Sequence, residues 1–185
     1  FTKIALMGTV FYLMHDIMVK TNMFLIAGFI RLVRGTMDMQ KLGGLYKSYP
    51  LISFMIALVL FSLVGIPPLS GFWPKIYLFQ EAFVDKQYFF IAALILGSLV
   101  TMYVIAKMWA EVFWKNVPDE VIIENKFEPL PLVRKILLVL PIGMLGLATL
   151  YIGLNSEIVI QLVDKITDQL INTQPYIEAV LGKRN

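Results

Sequence analysis

Gly65-Ile66-Pro67-Pro68-Leu69-Ser70-Gly71-Phe72-Trp73-Pro74-Lys75 interrupts an apolar run that extends from Pro50 to Val84. As one straight helix that run would be roughly 50 Å long, well beyond a hydrocarbon core of about 30 Å. Pro67 and Pro68 remove two adjacent amide donors, and Gly65 and Gly71 flank them, so the hydrogen-bond ladder breaks here. The expectation is two half-helices, 50–65 and 71–84, joined by unwound backbone at membrane depth. Such backbone cannot face lipid and has to be buried in protein or line a wet cavity. Discontinuous helices of this kind mark ion and substrate sites in transporters.

Lys75 stands one short step past the break. A lysine near the middle of a membrane is costly and points to function. Desolvation disfavours its ammonium form, and so does the positive end of the second half-helix. A lysine so placed can lose and regain a proton near neutral pH. The plainer reading is a side chain that snorkels to a headgroup. Pro74 fits a helix that starts between Gly71 and Trp73, because its missing N–H then falls among the first-turn orphans.

The whole chain agrees with a bilayer setting. Of 185 residues, 58% are hydrophobic and 16% charged, against about 25% charged in soluble domains. The net charge of +3 is small, and no basic patch with interleaved aromatics suggests nucleic acid. With no cysteine and one histidine, disulfides, thiolate metal sites, thiol nucleophiles and imidazole clusters are excluded within this sequence. No metal or cofactor is expected. The opening hydrophobic stretch is too long and too polar at its centre for a signal peptide. The expectation is that the sequence is part of a longer protein.

Outward from the break, residues 4–30 read as a first span with His15, Asp16, Lys20 and Asn22 near its middle. Asp16 and Lys20 are four apart with the acid first, so they share a helix face and can pair. In a dry interior the pair should face the bundle. Two readings stand for these residues: a pair that locks helix packing, or groups on an ion path. His15, about 100° around the helix from Asp16, is either a hydrogen-bonded core residue or a transport group. The loop 31–49 carries Arg31, Arg34, Lys41 and Lys47 against Asp38, which places it in the cytoplasm by the positive-inside rule. Residues 88–114 form a span whose inner end holds Lys107 and Glu111, four apart and suited to an ion pair, beside Trp109 and Trp114. A second inner loop, 115–132, precedes the last span, 133–154, in which Gly143, Gly146 and Gly153 offer a small-residue face. Residues 156–171 have the pattern of an amphipathic helix on the outer surface or on a partner, followed by a tail to 185 that ends outside. The expected fold is therefore all-α: a polytopic membrane bundle with four spans, the second discontinuous. Residues 1–155 make the membrane domain and 156–185 the amphipathic helix and tail.

The stretches HDIMVK, KLGGLYKSYP and GIPPLSGFWPK together resemble the antiporter-like subunits shared by respiratory complex I and the Mrp-type multisubunit sodium/proton antiporters. GFWPK and the closing QPYIEAVLG are most similar to the D-type branch of the Mrp group. The resemblance covers nearly the whole chain. It implies the C-terminal part of a longer plasma-membrane subunit, with sister membrane subunits, lipid, protons and sodium ions as partners. It matches Lys75 to the ionisable residue that the family carries on a broken helix, and Lys20 to a lysine on the preceding helix. Relatives often have histidine where Asp16 stands, one residue from His15, which leaves the roles of those two open. The implied proton pathway is Lys75, Lys20, Asp16 and His15, beside the broken backbone at Gly65, Pro67, Pro68 and Gly71. A proton-pumping subunit of an NADH–quinone complex is the alternative, and a non-conducting membrane scaffold is a further one. A membrane enzyme is the poorest fit, since no nucleophile–base pair or metal constellation is present.

Overall fold

The computed structural model describes residues 2–118, 122 and 124–182, and among these every regular element is a helix. The helices are α1 (Lys3–Arg34), α2 (Leu45–Ser48), α3 (Pro50–Val64), α4 (Phe72–Val84), α5 (Tyr88–Trp109), α6 (Leu132–Leu154), α7 (Ser156–Ile171) and α8 (Gln174–Leu181). Among the described residues two segments are long and apolar enough to cross a membrane, Tyr88–Trp114 and Leu132–Leu154, and Pro50–Val64 is a shorter apolar helix.

The break falls where the prolines place it. α3 stops at Gly65, whose φ of 90° only glycine adopts readily, and α4 begins at Phe72. Pro74 lies in the first turn of α4, where its missing N–H costs no hydrogen bond.

α1 runs four residues past the expected end of its span. Nothing in 31–34 breaks a helix, and Arg31 and Arg34 suit the negative end of the dipole. Gly35, at φ 73°, supplies the stop, its N–H donating to Arg31 O at 2.8 Å. The loop that follows is structured: a short 3-10 turn, Met39–Lys41, precedes α2. Arg34 is buried there, its guanidinium donating to Ser48 Oγ at 3.2 Å. The expected Lys107–Glu111 pair is replaced. The end of α5 loosens into a π turn, Ala110–Trp114, and Glu111 pairs with Lys115 at 2.9 Å instead.

The core lies where α1, α3 and α6 meet. Val19, Ile26, Ile56, Val59, Leu60 and Ile142 are all buried there. The glycines of α6 allow the close approach: Gly143 and Gly146 face Met55 and Val59, and Gly153 lies under the backbone of Pro68 and Leu69. α7 packs on α1 through Val163 and Thr167, and Lys3 bridges to Asp164 and Asp168 at 2.7 and 2.6 Å. The tail contains α8, a helix with Pro175 in its first turn that the apolar pattern does not announce.

Candidate functional site: a broken helix with two ionisable residues

The site is built on an unwound segment, and its first problem is unpaired backbone. A helix leaves its last four carbonyls without intrahelical donors. At the end of α3 these are Phe61, Ser62, Leu63 and Val64. The N–H of Gly65 donates to Phe61 O and Ser62 O at 3.1 and 3.0 Å, and the N–H of Ile66 donates to Phe61 O at 3.1 Å. Lys75 satisfies the other two: its Nζ donates to Val64 O at 2.7 Å and to Leu63 O at 3.3 Å. The lysine of the second half-helix thus caps the first. Its headgroup is held on protein carbonyls at the break. The positive end of α4 is the only dipole that the sequence pattern brings to this lysine. The negative end of α3 is in contact with the same nitrogen and acts in the opposite sense. An apolar groove of about 290 Å³ between α3, α4 and α5 opens beside Lys75, lined by Phe72, Ile76, Phe79, Leu94 and Leu99.

His15 approaches the break from the other side. It is 2% exposed, and its Nδ1 lies 2.9 Å from Ser70 Oγ, with the direction of donation set by the tautomer. Ser70 Oγ is 3.1 Å from Ser62 Oγ. Histidine and two hydroxyls form a buried hydrogen-bonded row across the gap between the half-helices. Both flanking glycines are needed for this. A Cβ on Gly71 would collide with Ser62 O and stand 2.8 Å from the His15 ring, and one on Gly65 would stand 3.0 Å from the Lys75 side chain. The unwound loop is tied to α6 as well. Ser70 N–H donates to Thr149 O at 3.2 Å, and the Trp73 indole N–H donates to Gly153 O at 2.8 Å.

Asp16 and Lys20 pair at 2.7 Å, as their spacing predicts, with the Asp16 side chain 21% exposed and off the stripe that packs on the other helices described. The covered stripe of α1 is Phe11, His15, Val19, Asn22 and Ile26. Asp16 and Lys20 are each one residue past a member of that stripe, hence about 100° around the helix. The Lys20 side chain is 61% exposed, on a face shared with Leu13, Ile17 and Phe24. The structure therefore gathers His15, Gly65, Gly71 and Lys75 at the break and sets the Asp16–Lys20 pair apart. Ser62 and Ser70 were missed by sequence reasoning. For Ser62 a signal was available: Ser53 and Ser62 are the two polar residues in the run 50–64. Among the described residues no group of three or more His, Asp or Glu side chains could hold a metal.

Comparison with known proteins supplies the frame for this geometry. Residues 1–101, more than half of the chain, match the family model for the transmembrane region of NADH:quinone oxidoreductases and Mrp antiporters. The chain belongs to this family. It is a multi-pass membrane protein, and the polar, broken apolar region matched by the family model includes both His15 and Lys75. Family members similar to it include the D-type subunit of the Na(+)/H(+) antiporter of Bacillus subtilis, 34% identical over 97% of this chain and 35% of its own length. The subunit of the same name from Alkalihalophilus pseudofirmus is 33% identical over 98% of this chain and 35% of its own length. The chain thus spans about a third of the curated relatives it matches. A solved structure of the Mrp complex from Dietzia sp. superposes with a TM-score of 0.83 at 26% identity, over 98% of this chain and 41% of that one.

Proposed function

We propose that the chain is part of the D-type subunit of a multisubunit Na+/H+ antiporter, and that protons cross mid-membrane through the groups at its broken helix. The observation that carries this reading is the bridge from Lys75 Nζ to the last carbonyls of α3, with the His15–Ser70–Ser62 row beside it. Protonating or deprotonating Lys75 changes the strength of the cap that joins the half-helices. The gap can therefore respond to each charge change. The row of imidazole and hydroxyls can pass a proton by successive donation and acceptance. Asp16 pairs with Lys20 on the uncovered face of α1, where a neighbouring part of the larger assembly would take up the relay. The two D-type relatives favour antiport over the redox-linked alternative within the same family.

In this reading α1, the α3–α4 pair, α5 and α6 are four spans, the loops 31–49 and 115–132 face the cytoplasm, and α7 lies on the outer side. Sister subunits, lipid, protons and sodium ions are the partners, and no cofactor takes part. The test is Lys75→Ala in the complete complex, assayed for Na+-dependent proton movement in everted vesicles. Loss of antiport with normal assembly is expected, and wild-type antiport would remove Lys75 from the mechanism.

A further inference from the structure

Three hydrogen bonds close a frame between α1, α6 and the unwound segment. Asn22 Nδ2 on α1 donates to Ile142 O on α6 at 3.0 Å. Ser70 bonds twice: its N–H donates to Thr149 O at 3.2 Å, and its Oγ lies 2.9 Å from His15 Nδ1. His15 and Asn22 are seven residues apart on α1, and Ile142 and Thr149 are seven apart on α6. Seven residues make two helical turns to within about 20°, with a rise of about 10 Å, so each pair shares one face of its helix. The two helices run antiparallel, and the frame has equal sides. One rung joins Asn22 directly to Ile142, and the other joins His15 to Thr149 through Ser70. All five residues are buried.

The rung at Asn22 selects one rotation of α1. Its neighbours on the covered stripe, Val19 and Ile26, are apolar, and apolar contact is non-directional. A hydrogen bond, by contrast, requires its donor in reach and aligned. Turned by one residue, about 100°, α1 would bring Asp16 towards Ser70 and Met23 towards Ile142 O. A methionine has no donor for that carbonyl. Turned the other way, it would bring Thr21 towards Ile142 O and Met14 towards Ser70, and a thioether is only a weak acceptor. The observed rotation alone places a strong polar partner on both rungs. Asn22 Oδ1 has no protein partner among the described residues, so the amide acts here through its N–H.

We infer that Asn22 is a positioning residue: its bond to α6 fixes the rotation of α1 that presents His15 to the broken helix. The inference rests on the reading of His15 as a transport group. Asn22 carries no proton itself and acts on the His15–Ser70–Ser62 row from two turns away.

The experiment compares Asn22→Leu, Asn22→Gln, His15→Leu and the double variant His15→Leu/Asn22→Leu in the assembled complex, for antiport rate and melting temperature. Leucine has the branched shape of asparagine and removes an unpaired oxygen, and Ile142 O retains its helical donor, the N–H of Gly146, so stability should hold. A side chain that only fills space predicts a wild-type rate in Asn22→Leu. Positioning predicts a rate lowered at least about tenfold at an unchanged melting temperature. It also predicts partial rescue in Asn22→Gln, which restores the N–H, and no further loss when Asn22→Leu is added to His15→Leu, because both act through one contact. A wild-type rate in Asn22→Leu, or losses that multiply in the double variant, overturns the inference. Cryo-electron microscopy of the Asn22→Leu complex supplies a measurement independent of transport: His15 Nδ1 out of hydrogen-bond reach of Ser70 Oγ is expected, and an unmoved contact refutes the inference. Where Asn22→Leu assembles poorly, the smaller Asn22→Ala is read by the same measurements. A wild-type rate in Lys75→Ala would overturn the antiport reading, while the structural comparison still decides the role of Asn22.

Discussion

Gly71 and Gly65 show how little room the site leaves. Gly71 has an ordinary φ of −73°, so its requirement is one of space: a Cβ would overlap Ser62 O and the His15 ring. Gly65 has both constraints, a φ of 90° and a neighbouring lysine chain. Gly71→Ala should therefore destabilise by about 1–3 kcal/mol through overpacking alone. It should also separate His15 from Ser70 and slow transport. A thermal melt of the assembled complex together with the antiport assay checks this, and an unchanged melting temperature would contradict the contact. At this scale the sequence was a good guide to which residues gather at the break and a poor one to their partners. Lys75, His15 and the glycines were visible as costly or permissive residue types in an apolar setting. That Lys75 would cap α3, and that His15 would reach Ser70 while Asp16 and Lys20 turned outward, depends on the rotation of α1 against its neighbours. One residue of rotation decides it, and no local pattern in HDIMVK specifies it.

Among the elements, the loops on the 31–49 side are more ordered than their polarity suggests. Phe29, Tyr49 and Phe127 pack edge to face at 5.3–5.8 Å, drawing the end of α1, the start of α3 and the stretch around Phe127 together. Glu128 sits at the rim of this cluster, accepting from the Tyr49 hydroxyl at 2.8 Å and from Lys135 Nζ at 3.2 Å. The Tyr49 hydrogen bond first, and Lys135 second, hold the Glu128 carboxyl below its ordinary pKa. A depressed folded value means that the carboxylate stabilises the fold above the ordinary glutamate range and ceases to do so as pH falls through the folded value. Hydrogen exchange in residues 124–132 should therefore quicken as pH drops below about 4, after correction for intrinsic rates. Glu128→Gln should abolish that extra acceleration, and an identical pH profile in the variant would show that the clamp is idle. The boundaries of α3 and α4 were legible because proline and glycine act locally. The π turn at 110–114 was not, and neither was the choice of Lys115 over Lys107 as the partner of Glu111, since both lysines lie four residues from Glu111 and the spacing alone does not choose between them.

For the molecule as a whole, the pattern of apolar runs was enough to predict an all-helical membrane bundle, and the small residues of α6 foretold a close helix contact, whose partner, α3, only the structure supplies. The docking of α7 was only half legible. Its acidic face was plain, but the cation that meets it lies far away in sequence, at Lys3. These ion pairs are largely exposed, so each contributes little and is weakened by salt. Lys3→Ala should leave α1 and α6 intact and loosen α7. Proteolysis near 155–156 at low salt would detect that as faster cleavage than in the parent, with the difference fading at high ionic strength. Equal cleavage at low salt would mean that Val163 and Thr167 suffice to hold the helix.

The two hydrogen bonds from the unwound segment to α6, Ser70 to Thr149 and Trp73 to Gly153, have a mechanical consequence. A gap bolted at both its lip and its floor to a continuous rod is a weld, not a hinge. The lower half of the snapped rod cannot tilt by itself: it drags residues 149–153, and with them the turn into the acidic surface helix. If Lys75 carries protons as proposed, a change of charge at that half-buried amine is geared through α6 to α7 by hard contacts.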